Sequence, residues 1–452
     1  MKPFFKTFSG RLVLAAAGGV ILVLVVFSVW RLRLANDINA RFASIHARGL
    51  PTTGQEANDF YPFVPDSENA AVKMADAFAA LASYPDSRSN EINHIRFASR
   101  TNVFPAEQRE LLAGYCALNS NALALAAEAG QRPHGRYPMD LSWGASTLLP
   151  HLAKLRKLAL LAEYHSALNP DASVRDITTI LGMAGTLDAE PVVISKLVRG
   201  ALLNIAGVSL ERRLAQGNME DAQLKALAGL FAASTKTNQM VQGLIGERAM
   251  MAYYFRMSLV DFQKLANNDD APEVKSGPPT PGRRSVFWAV TGFFDRDLRF
   301  YLESMESNIV LAATYPKNIA QITNAELQIE QTSRRNYYIF SSLLLPSLTA
   351  GNFKEADNVA FMRSAQTALA VEHFRLADGH LPQTLDELMP RFLSAIPEDP
   401  YDGHPLRYHL LVKGYVVYSI GRDGADNGGR ERPADAKSSD KTPYDVTFVV
   451  ER

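Results

Sequence analysis

Cysteine is almost absent from this chain: Cys116 is the only one among 452 residues. One thiol cannot close an intrachain disulfide, and it cannot build the Cys-based cages of zinc or iron–sulfur sites. Its neighbours Leu111, Leu112, Tyr115 and Leu118 lie at helical spacing, so Cys116 reads as a small core residue. Excess charge is missing too. Lys and Arg total 47, as do Asp and Glu, so the net charge is zero. A nucleic-acid partner normally leaves a basic surplus, so that class is set aside. The common catalytic signatures are also lacking: no H-E-x-x-H, no G-x-S-x-G, no P-loop, and no G-x-G-x-x-G after a strand. No fixed repeat period emerges that would mark a solenoid.

What is present begins with one long apolar run. Leu12 to Val29 holds no charge and is rich in Leu, Val, Ile and Ala. Trp30, Arg31 and Arg33 follow. Roughly 18–20 apolar residues make a helix of about 27–30 Å, enough to cross the hydrocarbon of a bilayer. The run ends in Val29-Trp30-Arg31-Leu32-Arg33, not in the small residues that a signal peptidase needs, so the segment reads as an uncleaved anchor. Lys2, Lys6 and Arg11 precede it, while Arg31, Arg33, Arg41 and Arg48 follow it. Positive charge is therefore nearly balanced across the span and does not orient it.

The rest of the chain is hydrophobic and charged in ordinary globular proportion, 47% and 21%. Residues 31–65 read as a juxtamembrane linker: a helix from Asn36, then a loop rich in Pro, Gly and Asn. Residues 66–350 read as an irregular α-helical body. Its helices are expected at Ala70–Tyr84, Glu107–Ala129, Leu148–Leu168, Val174–Leu187, Val192–Gln216 and Met219–Ala233, then Ser285–Tyr315 and Ile322–Leu345. Gly217 and Asn218 mark a corner between two of them. Residues 267–284 hold Asn, Asp, Gly and several prolines and read as a long exposed loop. After Asn352 the texture changes. An amphipathic helix spans Ala356–Leu376, and Thr384 with Glu387 forms a capping box. Alternating strand patterns follow at Leu406–Val412, Tyr415–Ile420 and Asp445–Val450, the first two joined by a tight turn at Lys413–Gly414. The expected fold is mainly α: a transmembrane helix, a helical body, and a small α+β module over residues 356–452 with a short antiparallel sheet.

Four segments of that module carry a resemblance. They are Glu372-His373-Phe374-Arg375-Leu376-Ala377-Asp378-Gly379-His380-Leu381-Pro382, then Thr384-Leu385-Asp386-Glu387-Leu388, then Ile396-Pro397-Glu398-Asp399-Pro400-Tyr401-Asp402-Gly403 running into Pro405-Leu406-Arg407-Tyr408, then Tyr418-Ser419-Ile420-Gly421-Arg422-Asp423-Gly424. In this order and spacing they resemble the globular domain of the major pseudopilins of type II secretion systems, over about the last fifth of the chain. The wider layout resembles large bacterial envelope proteins that end in such a module. The N-terminus departs from the family. Pseudopilins place a Glu at the fifth position after their cleavage-site glycine; here Gly10 is followed by Arg11, and the fifth position is Ala15.

The resemblance implies a calcium ion at the loop after the second strand. Ser419, Asp423, Asp426 and a later acid, Asp435 or Asp440, would supply its oxygens. The alternative is an Asp-Gly turn without an ion. It further implies an extracytoplasmic setting: an inner-membrane, single-pass protein with residues 1–11 as a cytoplasmic tail and the soluble part in the periplasm.

Outside the module the ionisable residues read as structural. His151 and His165 share a helix but stand about four turns apart, too far to share a metal. His404 and His409 flank the first strand as surface residues. Glu247 and Arg248 lie in an apolar helix and need partners, for which Arg334 or Arg335 were the candidates. Two functions follow. The first is a non-catalytic anchored protein that binds an envelope protein partner. The second is an envelope hydrolase with its site in the helical body, which requires acids and histidines gathered in one pocket.

Overall fold

A computed structural model describes residues 8–84, 88, 91–92, 95, 100, 104–132, 134–142, 149–256, 290–433 and 442–452. The expected loop at 267–284 and the acids Asp435 and Asp440 lie outside the described residues. The chain is mainly helical, with one long apolar helix at its start and a small three-stranded antiparallel sheet at its end.

Helix α1 (Phe8–Ala47) is a single 40-residue element. Its apolar part is bare, with Leu12, Val23 and Leu32 each more than half exposed. It is long and apolar enough to span a membrane. The helix does not stop at the end of the apolar run. Asn36–Ala47, expected as the start of a separate linker helix, continues α1 without a break, and no proline or glycine stands between Val20 and Ala47. This second half turns Leu34, Ile38 and Ile45 into the core.

The body follows as α2 (Gly54–Phe60), α3 (Ala70–Ala80), α4 (Ala106–Leu118), α5 (Ser120–Ala129), α6 (Pro150–Leu168), α7 (Ser173–Gly185), α8 (Val193–Ala215), α9 (Asp221–Ser234) and α10 (Gln239–Met251). Helix α8 is also apolar enough to pass for a membrane span, but it is the buried centre of the body, with Leu202, Ala206 and Leu210 fully enclosed. Cys116 packs in this core, where burial pushes its thiol up to about 12.

Helices α11 (Phe293–Ala313), α12 (Ile319–Asn336) and α13 (Ile339–Asp378) complete the body. Pairing along them fixes direction. Arg31 and Arg41 of α1, with Arg48 just past its end, reach Asp295, Glu303 and Glu306 of α11 at 2.8, 2.6 and 2.6 Å. Asp297, Asn308 and Tyr315 on or just past α11 bond Phe340, Thr349 and Glu355 of α13. So α1, α11 and α13 run side by side in one direction, and α12 returns between the last two.

Helix α13 differs from expectation. The sequence predicts one helix over Ile322–Leu345 and another over Ala356–Leu376, because Pro346 lacks an N–H and Gly351-Asn352 follows; the first is broken at Tyr337–Tyr338. Instead one helix of 40 residues runs through. The hydroxyls of Ser347 and Thr349 donate to the Leu344 and Leu345 carbonyls beside the proline. Asn352 is fully buried and donates to the Thr349 carbonyl. Packing on α11 and α12 outweighs the local breakers.

The sheet is β1 (Arg407–Leu411), β2 (Gly414–Ser419) and β3 (Val446–Glu451), in spatial order β1-β2-β3. Leu411 faces Gly414, so Val412 and Lys413 form the turn, one residue earlier than expected. Tyr415, Val417, Phe448 and Val450 point at α13, where Tyr415 donates to the Ala368 carbonyl and Phe361 meets Phe448. These residues share one continuous core with Leu202 and Leu210 of the body, so α13 passes from body to module without a boundary.

Candidate functional site

The loop at the end of β2 can be built outward from Asp399. The Pro397–Pro400 segment places this carboxylate under the sheet, 1% exposed. It accepts from the Tyr401 N–H at 2.9 Å, the Ser419 hydroxyl at 2.8 Å and the Ile420 N–H at 2.9 Å, and it pairs with Arg407 at 2.8 Å. The Arg407 guanidinium also grips Asp402 and comes within 3.6 Å of Asp426. Partial burial opposes ionisation of Asp402, but its bond to Arg407 holds it below the usual carboxylate range. Gly403 takes φ +75°, a positive backbone angle that glycine adopts without strain.

The sequence-derived ligands therefore have separate partners. Ser419 is fully buried, donates to Asp399 and accepts from the Gly421 N–H. Asp423 accepts from the Ala425 N–H and the Asn427 amide. Asp426 accepts from the Tyr418 hydroxyl and the Gly428 N–H. Asp440 lies outside the described residues. The acid that organises the loop is Asp445, which accepts from the N–H groups of Asn427, Gly429 and Arg430. Among the described residues no three acids or histidines gather as a metal site. In the described part of this donor set the oxygens face N–H groups, and the cation among the acids is Arg407.

A small cleft of the body lies between α8, the start of α10 and α13; it is partly open to solvent, and its enclosed space of about 20 Å³ holds little more than a water molecule. Lys196 forms its floor, 4% exposed. Its Nζ meets the Leu187 and Asp188 carbonyls at 3.2 and 2.6 Å and the amide oxygens of Gln239 and Gln242 at 3.4 Å. Burial, with Arg199 close by, pushes this amine down to about 7. Asp188 bridges Arg199 and Lys236. Glu355 closes the far wall, accepting from the Met240 N–H at 2.7 Å. Such a floor can exchange a proton near neutrality, yet its cations are already matched by carbonyls and carboxylates. The cleft lining has no histidine. Sequence reasoning missed it because its walls come from segments far apart in the chain.

Three histidines, Arg248 and Glu247 also have partners. His151 Nε2 lies 2.9 Å from Glu190 and stacks on Tyr137. His165 Nδ1 lies 2.6 Å from Asp176. His409 meets the Tyr418 hydroxyl. Arg248 pairs with Glu306 at 2.9 Å, and neither Arg334 nor Arg335 serves Glu247, because α10 packs on α11 and Arg334 pairs with Glu330. Glu247 accepts from the Val193 N–H, and burial pushes it up to about 7.

Two surfaces are left open. The sheet is covered on the β3 side, where Glu211 of α8 accepts the Val449 N–H at 2.8 Å. Among the described residues no strand pairs with the outer side of β1, where Leu410 and Leu411 are exposed, as is Val412 in the turn that follows. The other surface is the end of the body nearest the apolar half of α1. No protein-family model, curated protein or solved structure matches the chain.

Proposed function

We propose that this is a single-pass, membrane-anchored, non-catalytic protein that presents its C-terminal, pseudopilin-like module to an envelope protein partner outside the cytoplasm. The observation that supports this most is the open β1 edge, with Leu410, Leu411 and Val412 exposed. An uncovered strand with apolar side chains is a template for another strand or chain. The three side-by-side helices support the rest of the reading. They couple the apolar segment rigidly to the body, and α13 ends against the sheet. The extracytoplasmic setting and the assembly role rest on the resemblance of residues 356–452 to pseudopilins.

A photo-crosslinking amino acid at Val412, in the full chain and in native membranes, tests the reading. The expected result is one discrete protein adduct from Val412 and none from Leu327, an exposed apolar residue on α12 that is remote from the edge. Equal labelling at both positions, or none at Val412, would overturn it.

A further inference from the structure

The end of the body beside the apolar half of α1 has an unusual surface. Trp30 closes the apolar run, and the next residue, Arg31, pairs with Asp295 at the start of α11. Arg31 also packs on Gly292, whose φ of +65° turns the chain into that helix. Two residues further along α11, Asp297 accepts the N–H groups of Phe340 and Ser341 at the start of α13. Since a helix rises about 1.5 Å per residue, the start of α13 stands within about one turn of the height of Trp30. The α12–α13 turn is therefore level with the end of the apolar run.

At this level large apolar side chains face outward. Tyr337 is 76% exposed, Leu343 62%, Leu32 65%, Val290 54% and Ile339 42%. Tyr337 holds its ring there from a left-handed backbone angle, φ +56°, which a bulky side chain rarely adopts. A water-facing turn would favour Asn or Gly at that position. Cations stand at the same level. Arg33 and Arg335 are exposed and have no ion pair among the described residues, and Arg296 lies over the Tyr338 ring at 5.8 Å. The nearby acids are already matched: Asp295 with Arg31, Asp37 and Glu303 with Arg299, and Glu330 with Arg334.

Aromatic and aliphatic side chains and arginines, level with the end of a membrane span, match the headgroup zone of a bilayer. That zone is about 5–8 Å deep on each face, enough to take Tyr337 and Ile339 and to reach Leu343 one turn higher. We propose that this end of the body is itself a lipid-contact surface: the α12–α13 turn and the first turn of α13 enter the interface, with Arg33, Arg296 and Arg335 on anionic headgroups. The inference rests on the anchored reading and adds a second contact, which stops the body from tilting about its single helix.

The test uses the full chain in vesicles of phosphatidylcholine and phosphatidylglycerol. In a Cys116→Ala background, a nitrobenzoxadiazole label is placed in turn through Leu24→Cys, Tyr337→Cys, Leu343→Cys and Leu327→Cys. Brominated lipid is then added. The expected result is quenching with a blue-shifted emission at 24, 337 and 343, and neither at 327, about 15 Å further up α12. Quenching at 24 with 337 and 343 behaving like 327 would overturn the contact surface and leave the anchor standing. No quenching at 24 would overturn the anchor, and the surface with it.

Discussion

Asp399 has the highest local stakes of any single residue in the C-terminal region. Four donors converge on one buried carboxylate, and one of them is the Arg407 guanidinium. Removing one partner of such a pair leaves a cation and several polar groups without a match, a loss of about 3–5 kcal/mol. Asp399→Ala should therefore unfold the sheet region well below the wild-type midpoint, read by chemical denaturation with near-ultraviolet circular dichroism. Asp423→Ala removes only exposed bonds of the loop and should stay within about 0.5 kcal/mol of wild type. Equal losses from both substitutions would refute the central place given to Asp399. An aspartate between Pro397 and Pro400 reads from the sequence alone as a turn residue. A turn aspartate and a buried hub look the same until the strand bearing Ser419 and Ile420 is laid over it.

At the scale of elements, the joint between α11 and α13 deserves the closest test. Asp297 is fully buried and caps the first N–H groups of α13. Burial pushes its carboxyl up from 3.8 to about 6, and the bonds from Ser341 and Phe340 oppose this only in part. The folded state thus keeps a proton up to about pH 6, while the unfolded chain releases it near 3.8. The stability this provides is complete below pH 3.8 and is lost as pH rises through 6. Asp297→Asn should flatten that portion of the curve, so the gap between variant and wild type should change across pH 4–6 and stay constant above pH 7. Thermal denaturation at a series of pH values reads this directly; parallel curves would contradict it.

The elements also differ in how far the sequence disclosed them. The apolar half of α1 was legible because eighteen uncharged residues permit little else, and the three strands because period-two alternation sits between clear turns. The union of Ile322–Leu345 and Ala356–Leu376 into other helices was not. Pro346 and Gly351-Asn352 are local stop signals, and only packing from α11 and α12 overrides them. The continuation of α1 past Asn36 was hidden for a related reason, since Arg31, Arg41 and Arg48 look like linker charges until Asp295, Glu303 and Glu306 appear opposite them. The Lys196 cleft left no signal at all, because its residues come from α8, α10 and α13.

For the whole molecule, the account joins one end to the other. Helix α13 begins beside the level of Trp30 and, 29 residues on, meets the sheet where Tyr415 donates to Ala368. At about 1.5 Å per residue that is a separation of about 40 Å, spanned by one helix with no flexible linker. The α1–α11 pairs tie this spine to the apolar half of α1, so under the proposed anchoring the module should stand at a fixed height above the bilayer. An energy-transfer or pulsed electron-spin measurement between a label at Val412→Cys in a Cys116→Ala background and labelled lipid headgroups in nanodiscs tests this most directly. The account predicts a single narrow distribution at about 40 Å or beyond; a broad distribution, or one that reaches the headgroups, would contradict it.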